Sequence, residues 1–365
     1  MKYKIIISGG GTGGHIYPAI SIANTIKQKY PNSEILFVGA TGRMEMEKVP
    51  AAGYEIVGLP VIGLQRKLSP KLIKFAWRLF ISLAKAGKII RNFKPHAVVG
   101  VGGYVSAPVL RRASRKGIPC MIQEQNSFPG IANKMLGKSV DKICVAYPGL
   151  EKWFPKEKIV FTGNPVRQDI AEIQPKAEEA MEHFGLKPDK PVILVLGGSL
   201  GARTINQALS KNFNSILKEE IQLIWQTGKT GFEQAVSSVP ENTQGIKVLE
   251  FVYRMDFAFA VADVVISRAG ASTISELCLV RKPCIFVPSP NVAEDHQRKN
   301  AMALVNENAA GMVEDHEAID TLVPEAIELV KDKDRQNMFS ENIVRFAKPD
   351  AATQIVDELF DLIKQ

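Results

Sequence analysis

The chemistry this chain could perform gathers around two glycine-rich loops and one histidine. The first loop, Ser8-Gly9-Gly10-Gly11-Thr12-Gly13-Gly14-His15, follows the apolar run Tyr3 to Ile7. The second, Gly197-Gly198-Ser199-Leu200-Gly201-Ala202, follows Pro191 to Leu196 about 190 residues later. Each reads as a buried parallel strand, a tight turn and a helix start. A helix N-terminus carries unpaired backbone N–H groups and a partial positive charge, which suits a phosphate or another developing anion. The same dipole disfavours an imidazolium in the first turn. His15 is therefore expected to be a neutral base near pH 7, the alternative being a helix-capping residue without chemistry. Two such units predict two similar domains facing one cleft, and two substrates rather than one.

In open α/β sheets ligands gather beyond the carboxyl ends of strands. Other runs that follow strand-like segments are Gly100-Val101-Gly102-Gly103-Tyr104 and Gln123-Glu124-Gln125-Asn126-Ser127 in the first half. In the second half they are Ser267-Arg268-Ala269-Gly270-Ala271-Ser272-Thr273 and Pro288-Ser289-Pro290. Glu276, in the first turns of the helix that follows, can accept two hydrogen bonds from a ribose diol. Equally, Thr273 and Glu276 have the spacing of a capping box. Gly9, Gly11 and Gly14 also form Gly-x-Gly-x-x-Gly, a weak dinucleotide signal. The acid expected after the second strand is missing, but Arg43 could meet a 2′-phosphate, so an NADP oxidoreductase is an alternative. Asp332-Lys333-Asp334 lies in a charged helical region and is not read as a metal site.

The elements that must position these residues follow from length and pattern. At 365 residues and 45% hydrophobic, the chain is expected to build two domains with their own cores. Seven strand-like runs precede Gly163-Asn164-Pro165-Val166, a breaker and expected linker, and six follow it. Their alternation with helical patterns implies right-handed βαβ units and parallel sheets. The expected boundaries are 1–163, 164–348, and a C-terminal helix over 349–365 that packs back on the first domain. The N-terminus reads as a first strand rather than a signal peptide, and no uncharged apolar stretch reaches the roughly 18 residues of a membrane span. Cys120, Cys144, Cys278 and Cys284 form no Cys-x-x-Cys pair and are expected as reduced core residues of a cytosolic protein.

Charge is distributed unevenly. Ile56 to Gln123 holds 13 Lys and Arg and no Asp or Glu; the whole chain nets +8, so the remainder nets −5. Such a stretch points to an anionic surface or substrate. Within it, Lys71 to Phe93 reads as one helix about 34 Å long. Leu72, Ala76, Leu79, Leu83, Gly87 and Ile90 form the expected core stripe. Lys71, Lys74, Arg78, Lys85 and Lys88 lie opposite, with Trp77, Ile81 and Ile89 on or near that side. Apolar and basic groups mixed on an outward face suit a membrane interface; the other reading is a solvated basic face. Nucleic acid fits poorly, since there is no recognition module and few aromatics for stacking.

Taken in order, these motifs resemble the MurG family, the UDP-N-acetylglucosamine-dependent N-acetylglucosaminyltransferases of bacterial peptidoglycan synthesis. The likeness runs through Gly-Gly-Thr-Gly-Gly-His at 10–15, Gly-Gly-Tyr-Val-Ser at 102–106, Glu-Gln-Asn at 124–126 and Gly-Asn-Pro-Val-Arg at 163–167. It continues through Gly-Gly-Ser-Leu-Gly-Ala at 197–202, Arg-Ala-Gly-Ala-Ser-Thr-Ile-Ser-Glu at 268–276 and Asp-His-Gln-Arg-Lys-Asn-Ala at 295–301.

The resemblance implies an α/β fold of two Rossmann-like domains facing a cleft, the GT-B architecture. It implies inverting transfer of N-acetylglucosamine from UDP-GlcNAc to the 4-hydroxyl of undecaprenyl-pyrophosphoryl-N-acetylmuramoyl-pentapeptide, without cofactor or tightly bound metal. It places the protein peripherally on the cytoplasmic face of the cell membrane, on anionic lipid, with other cell-wall synthesis proteins as further partners and no nucleic acid. It assigns Ser199 and Arg167 to the diphosphate, Glu276 to the ribose and the backbone of Val252 to the uracil. Ala271, Ser272, Thr273, Ile274 and Ser275 would line the nucleotide, and Gln297 and Asn126 would touch the sugar. Thr12, Gly13 and Gly14 would face the donor across the cleft, while the acceptor's pyrophosphate suits the first glycine-rich loop. His15 is the expected base and Glu124 the alternative. Gln123 stands where the family commonly has His, so a proton-transfer role at that position is absent. A UDP-GlcNAc 2-epimerase shares the architecture and is a further alternative.

Overall fold

The computed structural model describes residues 2–61, 71–166, 170, 178–198, 201–240, 243–292 and 295–364, with the side chains of residues 71–76 outside the description. The chain divides into two compact units, Met1–Arg167 with Lys348–Gln365, and Gln168–Ala347.

The first unit opens with β1 (Lys4–Gly9), α1 (Gly13–Lys29), β2 (Glu34–Ala40), α2 (Glu45–Ala51), β3 (Glu55–Leu59) and α3 (Lys71–Phe93). It continues with β4 (Ala97–Gly102), α4 (Ser106–Ser114), β5 (Cys120–Glu124), α5 (Ile131–Leu136), β6 (Lys142–Val145) and β7 (Ile159–Phe161). The strands form one parallel sheet in the order β3-β2-β1-β4-β5-β6-β7. Strand side chains alternate between faces, so Ile5 and Ile7 join a core with Ile16, Ile22 and Phe37, while Ile6 joins another with Ala86, Ile90, Leu110 and Ile122. The first of those cores is completed by Ile355, Val356, Leu359 and Phe360 of the C-terminal helix, Ala351–Lys364. That helix is pinned by ion pairs from Lys29 to Asp357, at 2.6 Å, and from Lys142 to Glu358.

The second unit contains α6 (Glu178–Phe184), β8 (Val192–Leu196), α7 (Arg203–Lys211), α8 (Phe213–Lys218), β9 (Gln222–Gln226), α9 (Phe232–Ser238), β10 (Ile246–Leu249) and α10 (Met255–Val261). It continues with β11 (Val264–Ser267), α11 (Ala271–Val280), β12 (Cys284–Phe286), α12 (His296–Val305), β13 (Gly311–Met312), α13 (Ala318–Lys331) and α14 (Lys333–Ile343), leaving the C-terminal helix as α15. Its sheet is again parallel, ordered β10-β9-β8-β11-β12-β13. Ile193, Val195, Ile205, Leu209, Trp225, Ile266 and Leu322 belong to its core.

In each sheet the chain winds outward on one side, then returns to the other side of its first strand. That places a topological switch point between β1 and β4, and another between β8 and β11. Ligand crevices form at such points, and both glycine-rich loops leave from them.

The structure revises the reading of α3. Leu79, expected in the core, is 37% exposed, and Trp77 and Phe80 are each 64% exposed. Ile90 is buried and Trp77 exposed as expected, but the buried stripe reaches Ile90 through Ser82 and Ala86, and Ile89, expected outside, packs against the core. The side chains of Lys71, Leu72, Lys74 and Ala76 lie outside the described residues. Lys85 is not a spare surface charge, because its Nζ donates to the Gly58 carbonyl at 2.8 Å. Asp332 has a structural job: it accepts from the Arg335 N–H at 2.9 Å and caps α14. All four cysteines are buried and unbridged, and burial pushes Cys120, Cys144 and Cys278 up to about 12.

Candidate active site

At the first switch point, the loop after β1 and the loop after β4 are packed together through glycines. A Cβ on Gly103 would lie 2.4 Å from the Gly10 carbonyl oxygen, and one on Gly102 would lie 2.7 Å from Cε1 of His15. Both also have left-handed φ, +97° at Gly102 and +79° at Gly103, which other residues adopt only at a cost. Gly102 therefore leaves room for the His15 ring, and Gly103 for the Gly10 backbone. His15 sits in the first turn of α1 after the N-cap Thr12, but its ring does not cap the helix. Nδ1 faces Oε1 of Gln125 at 3.0 Å. The half-buried ring has its pKa lowered by desolvation; Glu124, the Gln125 and Val101 hydrogen bonds and Glu45 pull in the opposite direction. The ring is thus neutral near pH 7, mainly through burial rather than the helix dipole.

Glu124 is differently placed. It is 1% exposed. One carboxylate oxygen accepts from the Asn126 N–H (3.0 Å) and Nδ2 (3.2 Å), and the other from the Gly130 N–H (3.1 Å) and Asn133 Nδ2 (2.8 Å). Four donors hold the carboxylate inside the loop it organises, and Asn126 is oriented by it. Thr12 and Gly14 are exposed and Gly13 and Asn126 half-buried, so all four are reachable.

Sequence reasoning missed Gln125, Asn164 and Glu45 as parts of this site. Glu45, fully buried at the start of α2, accepts from the Gly11 N–H at 3.0 Å and the Ala40 N–H at 2.9 Å. One N–H of the expected anion cradle is therefore turned inward to a carboxylate. Gly10 and Gly39 make room for that side chain, since a Cβ on either would strike it. The available signal was a helix-starting acid 30 residues past the loop, which only the sheet order relates to it.

At the second switch point, Gly197 and Gly201 approach the end of β9. A Cβ on Gly197 would lie 2.8 Å from the Gln226 carbonyl oxygen, and one on Gly201 2.5 Å from that of Thr227. Ser199 and Arg167 lie outside the described residues. The N-cap of α11 is Gly270, with extended backbone, and the Ile274 N–H returns to its carbonyl at 2.9 Å. Thr273 is therefore inside the helix and Glu276 is its sixth residue, which removes the capping-box reading. Ala271 and Ile274 are buried, whereas Ser272, Thr273, Ser275 and Glu276 keep partial exposure. The Ser275 hydroxyl donates to the Ala271 carbonyl at 3.0 Å.

Two expected ligand contacts are redefined by their partners. The N–H of buried Val252 donates to Gln226 Oε1 at 3.0 Å, so a base read by this backbone must use the carbonyl. Gln297 accepts from the Ser289 N–H at 2.9 Å and fixes the loop after β12. Arg268, after β11, ties that loop to the ones after β12 and β13, donating to the Val287 and Pro288 carbonyls at 3.0 and 3.3 Å and to Asp315 at 2.5 Å. Asp315 in turn accepts from Thr204 of α7 at 3.0 Å. Among the described residues, no group of three His, Cys, Asp or Glu side chains is placed to hold a metal ion.

Two parallel-sheet units, each with a glycine-rich loop at its switch point, define a doubly wound α/β protein of two Rossmann-like units. Residues 5–145 match the glycosyltransferase family 28 N-terminal domain, and residues 192–355 its C-terminal domain. A protein of Cytophaga hutchinsonii is 55% identical over 361 residues, covering 99% of this chain and 97% of that protein. It is named UDP-N-acetylglucosamine--N-acetylmuramyl-(pentapeptide) pyrophosphoryl-undecaprenol N-acetylglucosamine transferase. The crystal structure of Acinetobacter baumannii MurG superposes with a TM-score of 0.74 at 25% identity, covering 99% of this chain and all of that one. The chain belongs to the MurG family of these transferases. UDP-GlcNAc 2-epimerase from Neisseria meningitidis reaches a TM-score of 0.67 at 14% identity, covering 99% of this chain and all of that one, which is a likeness of fold alone.

Proposed function

We infer that this chain transfers N-acetylglucosamine from UDP-N-acetylglucosamine to the 4-hydroxyl of the N-acetylmuramic acid of a pentapeptide-bearing, polyprenyl-pyrophosphate-linked acceptor, with inversion at the anomeric carbon. The observation that carries this reading is the 55% identity, across both domains, to a relative named for that transfer. His15 is the base. Its neutral ring takes the proton of the acceptor hydroxyl as the oxygen's electron pair forms the new bond to the anomeric carbon. The bond from that carbon to the diphosphate breaks, and its electron pair leaves with UDP. Glu124 and Glu45 oppose the desolvation of the ring, so they stabilise the imidazolium that the step creates. Glu124 otherwise acts by shaping the loop that presents Asn126 to the sugar.

The second unit holds the donor. Glu276 takes the ribose diol, Ala271 to Ser275 line the nucleotide, and the Val252 carbonyl meets the uracil. Arg167 and Ser199 face the diphosphate, and Gln297 the sugar. Thr12 to Gly14 border the reacting groups beside His15. The acceptor is a lipid, so the protein works at a membrane surface, and the exposed Trp77, Leu79 and Phe80 of the acid-free stretch provide the apolar contact on the cytoplasmic face. Among the described residues no helix is long and apolar enough to cross a membrane.

The test is incubation with UDP-GlcNAc, with and without the lipid-linked acceptor. UDP release that requires acceptor and yields a disaccharide-lipid is expected. Epimerised sugar nucleotide without acceptor, or oxidation of NADPH, would reject the assignment.

A further inference from the structure

We propose that Gln125 is the positioning residue for His15: a closed relay of three buried carboxamides fixes its orientation so that the ring is held as the Nδ1–H tautomer, with the Nε2 lone pair presented to the substrate. The inference rests on the reading of His15 as the base.

The amide of Gln125 is buried together with those of Gln123 and Asn164. Its Nε2 is surrounded by acceptors. It donates to the Val101 carbonyl at 2.9 Å, to the Gln123 carbonyl at 3.3 Å and to Oε1 of Gln123. Reversing the amide would set an oxygen against three oxygens. Gln123 is fixed in turn, since its Nε2 donates to Asn164 Oδ1 at 3.0 Å. The Asn164 Nδ2 donates back to the Gln125 carbonyl at 3.1 Å, which orients the last amide. Every amide therefore points one way, and the Oε1 of Gln125 must face Nδ1 of His15. An oxygen there accepts only if Nδ1 carries the proton. The lone pair is then on Nε2, the nitrogen that must take the hydroxyl's proton.

The choice of an amide is itself informative. The charged groups acting on the ring are Glu124 from β5 and Glu45 from α2, neither of which is its hydrogen-bond partner at Nδ1. A carboxylate at position 125 would bond the ring and favour imidazolium before reaction. A neutral acceptor orients the ring and leaves it unprotonated until the step that protonates it. The relay also gives Gln123, whose side chain lacks a proton to shuttle, a role in holding Gln125.

The experiment is ¹⁵N NMR of the full-length protein labelled at histidine, read together with the pH dependence of turnover. The wild-type protein should show His15 as Nδ1–H, a measurement that needs no variant; finding Nε2–H would overturn the proposal whatever the activity. Gln125→Met should shift the ring toward Nε2–H and lower kcat about 10- to 100-fold, as expected of a misaligned base, with the KM for UDP-GlcNAc unchanged. Gln125→Glu should move the acid-side break of kcat upward. Wild-type kcat in Gln125→Met, beside a severe loss in His15→Ala, would overturn the positioning role alone. Wild-type kcat in His15→Ala would overturn the base reading and this inference with it.

Discussion

Two of the proposed site residues, His15 and Glu276, make separable predictions. If His15 is the base, His15→Ala should lower turnover by about 10²- to 10⁴-fold, the usual worth of a general base, while UDP-GlcNAc binding, measured by calorimetry, stays the same. The pH dependence follows from burial. A histidine whose neutral form is favoured loses activity only when protonated, so the acid-side break of kcat/KM should lie below the ordinary value of about 6.5. A break above that value would mean that Glu124 and Glu45 outweigh desolvation. Glu276 is tested at the nucleotide. Glu276→Ala should weaken UDP binding by about 1.5–3 kcal/mol, the range for a hydrogen bond to a charged group, and UDP with 2′-deoxyribose should lose much less. Equal losses for the two nucleotides would remove Glu276 from the ribose. The histidine was legible from its place after the glycines. Its partner Gln125 was not, because 110 residues separate them in the chain and only the adjacency of β1, β4 and β5 brings them together.

At the scale of elements, the first glycine-rich loop is built around a buried carboxylate. Glu45 joins the loop after β1 to the end of β2 through the N–H groups of Gly11 and Ala40. Removing it strands two inward-facing donors. Glu45→Ala should therefore destabilise the protein by about 3–6 kcal/mol, two charge-assisted bonds at about 1.5–3 each, seen as a lower midpoint in denaturant. Glu45→Gln should recover part of this through its one remaining acceptor oxygen. An unchanged midpoint in Glu45→Ala would show that the loop holds its shape without the carboxylate. The strands themselves were readable because both-face burial leaves long apolar runs such as Ile5-Ile6-Ile7 and Val192 to Leu196. The helix α3 was misread for a related reason. Its sequence is apolar on more than one side, so periodicity placed Ile90 in the core and Trp77 outside but could not say that Ser82 and Ala86 are buried while Leu79 and Phe80 face outward. The capping box at Thr273 failed because Gly270, two residues before Ser272, starts the helix by backbone geometry alone.

At the scale of the whole molecule, the two units carry opposite charge, and most of the first unit's net positive charge belongs to the acid-free stretch Ile56 to Gln123. If the acceptor is met at an anionic lipid surface, the long-range attraction should act mainly on the first unit. Attraction alone is screened by salt within about 10 Å at 0.1 M, so lasting attachment needs apolar insertion as well. Trp77 and Phe80, exposed on α3 with ring centroids 6.4 Å apart, are the proposed insertion groups. Burying each large apolar side chain is worth about 1.5–3 kcal/mol, against about 1 kcal/mol for each basic residue near the surface. Trp77→Ser with Phe80→Ser should accordingly weaken sedimentation with anionic vesicles more than Arg78→Glu does. High salt should weaken the wild-type protein and abolish what the double variant retains. UDP binding should survive both changes, since neither substitution touches a residue assigned to the nucleotide. Turnover on a water-soluble, short-chain acceptor should survive as well, while turnover on acceptor embedded in vesicles falls with binding. A double variant that sediments with anionic vesicles as well as wild type does would show that this part of α3 is not the membrane contact.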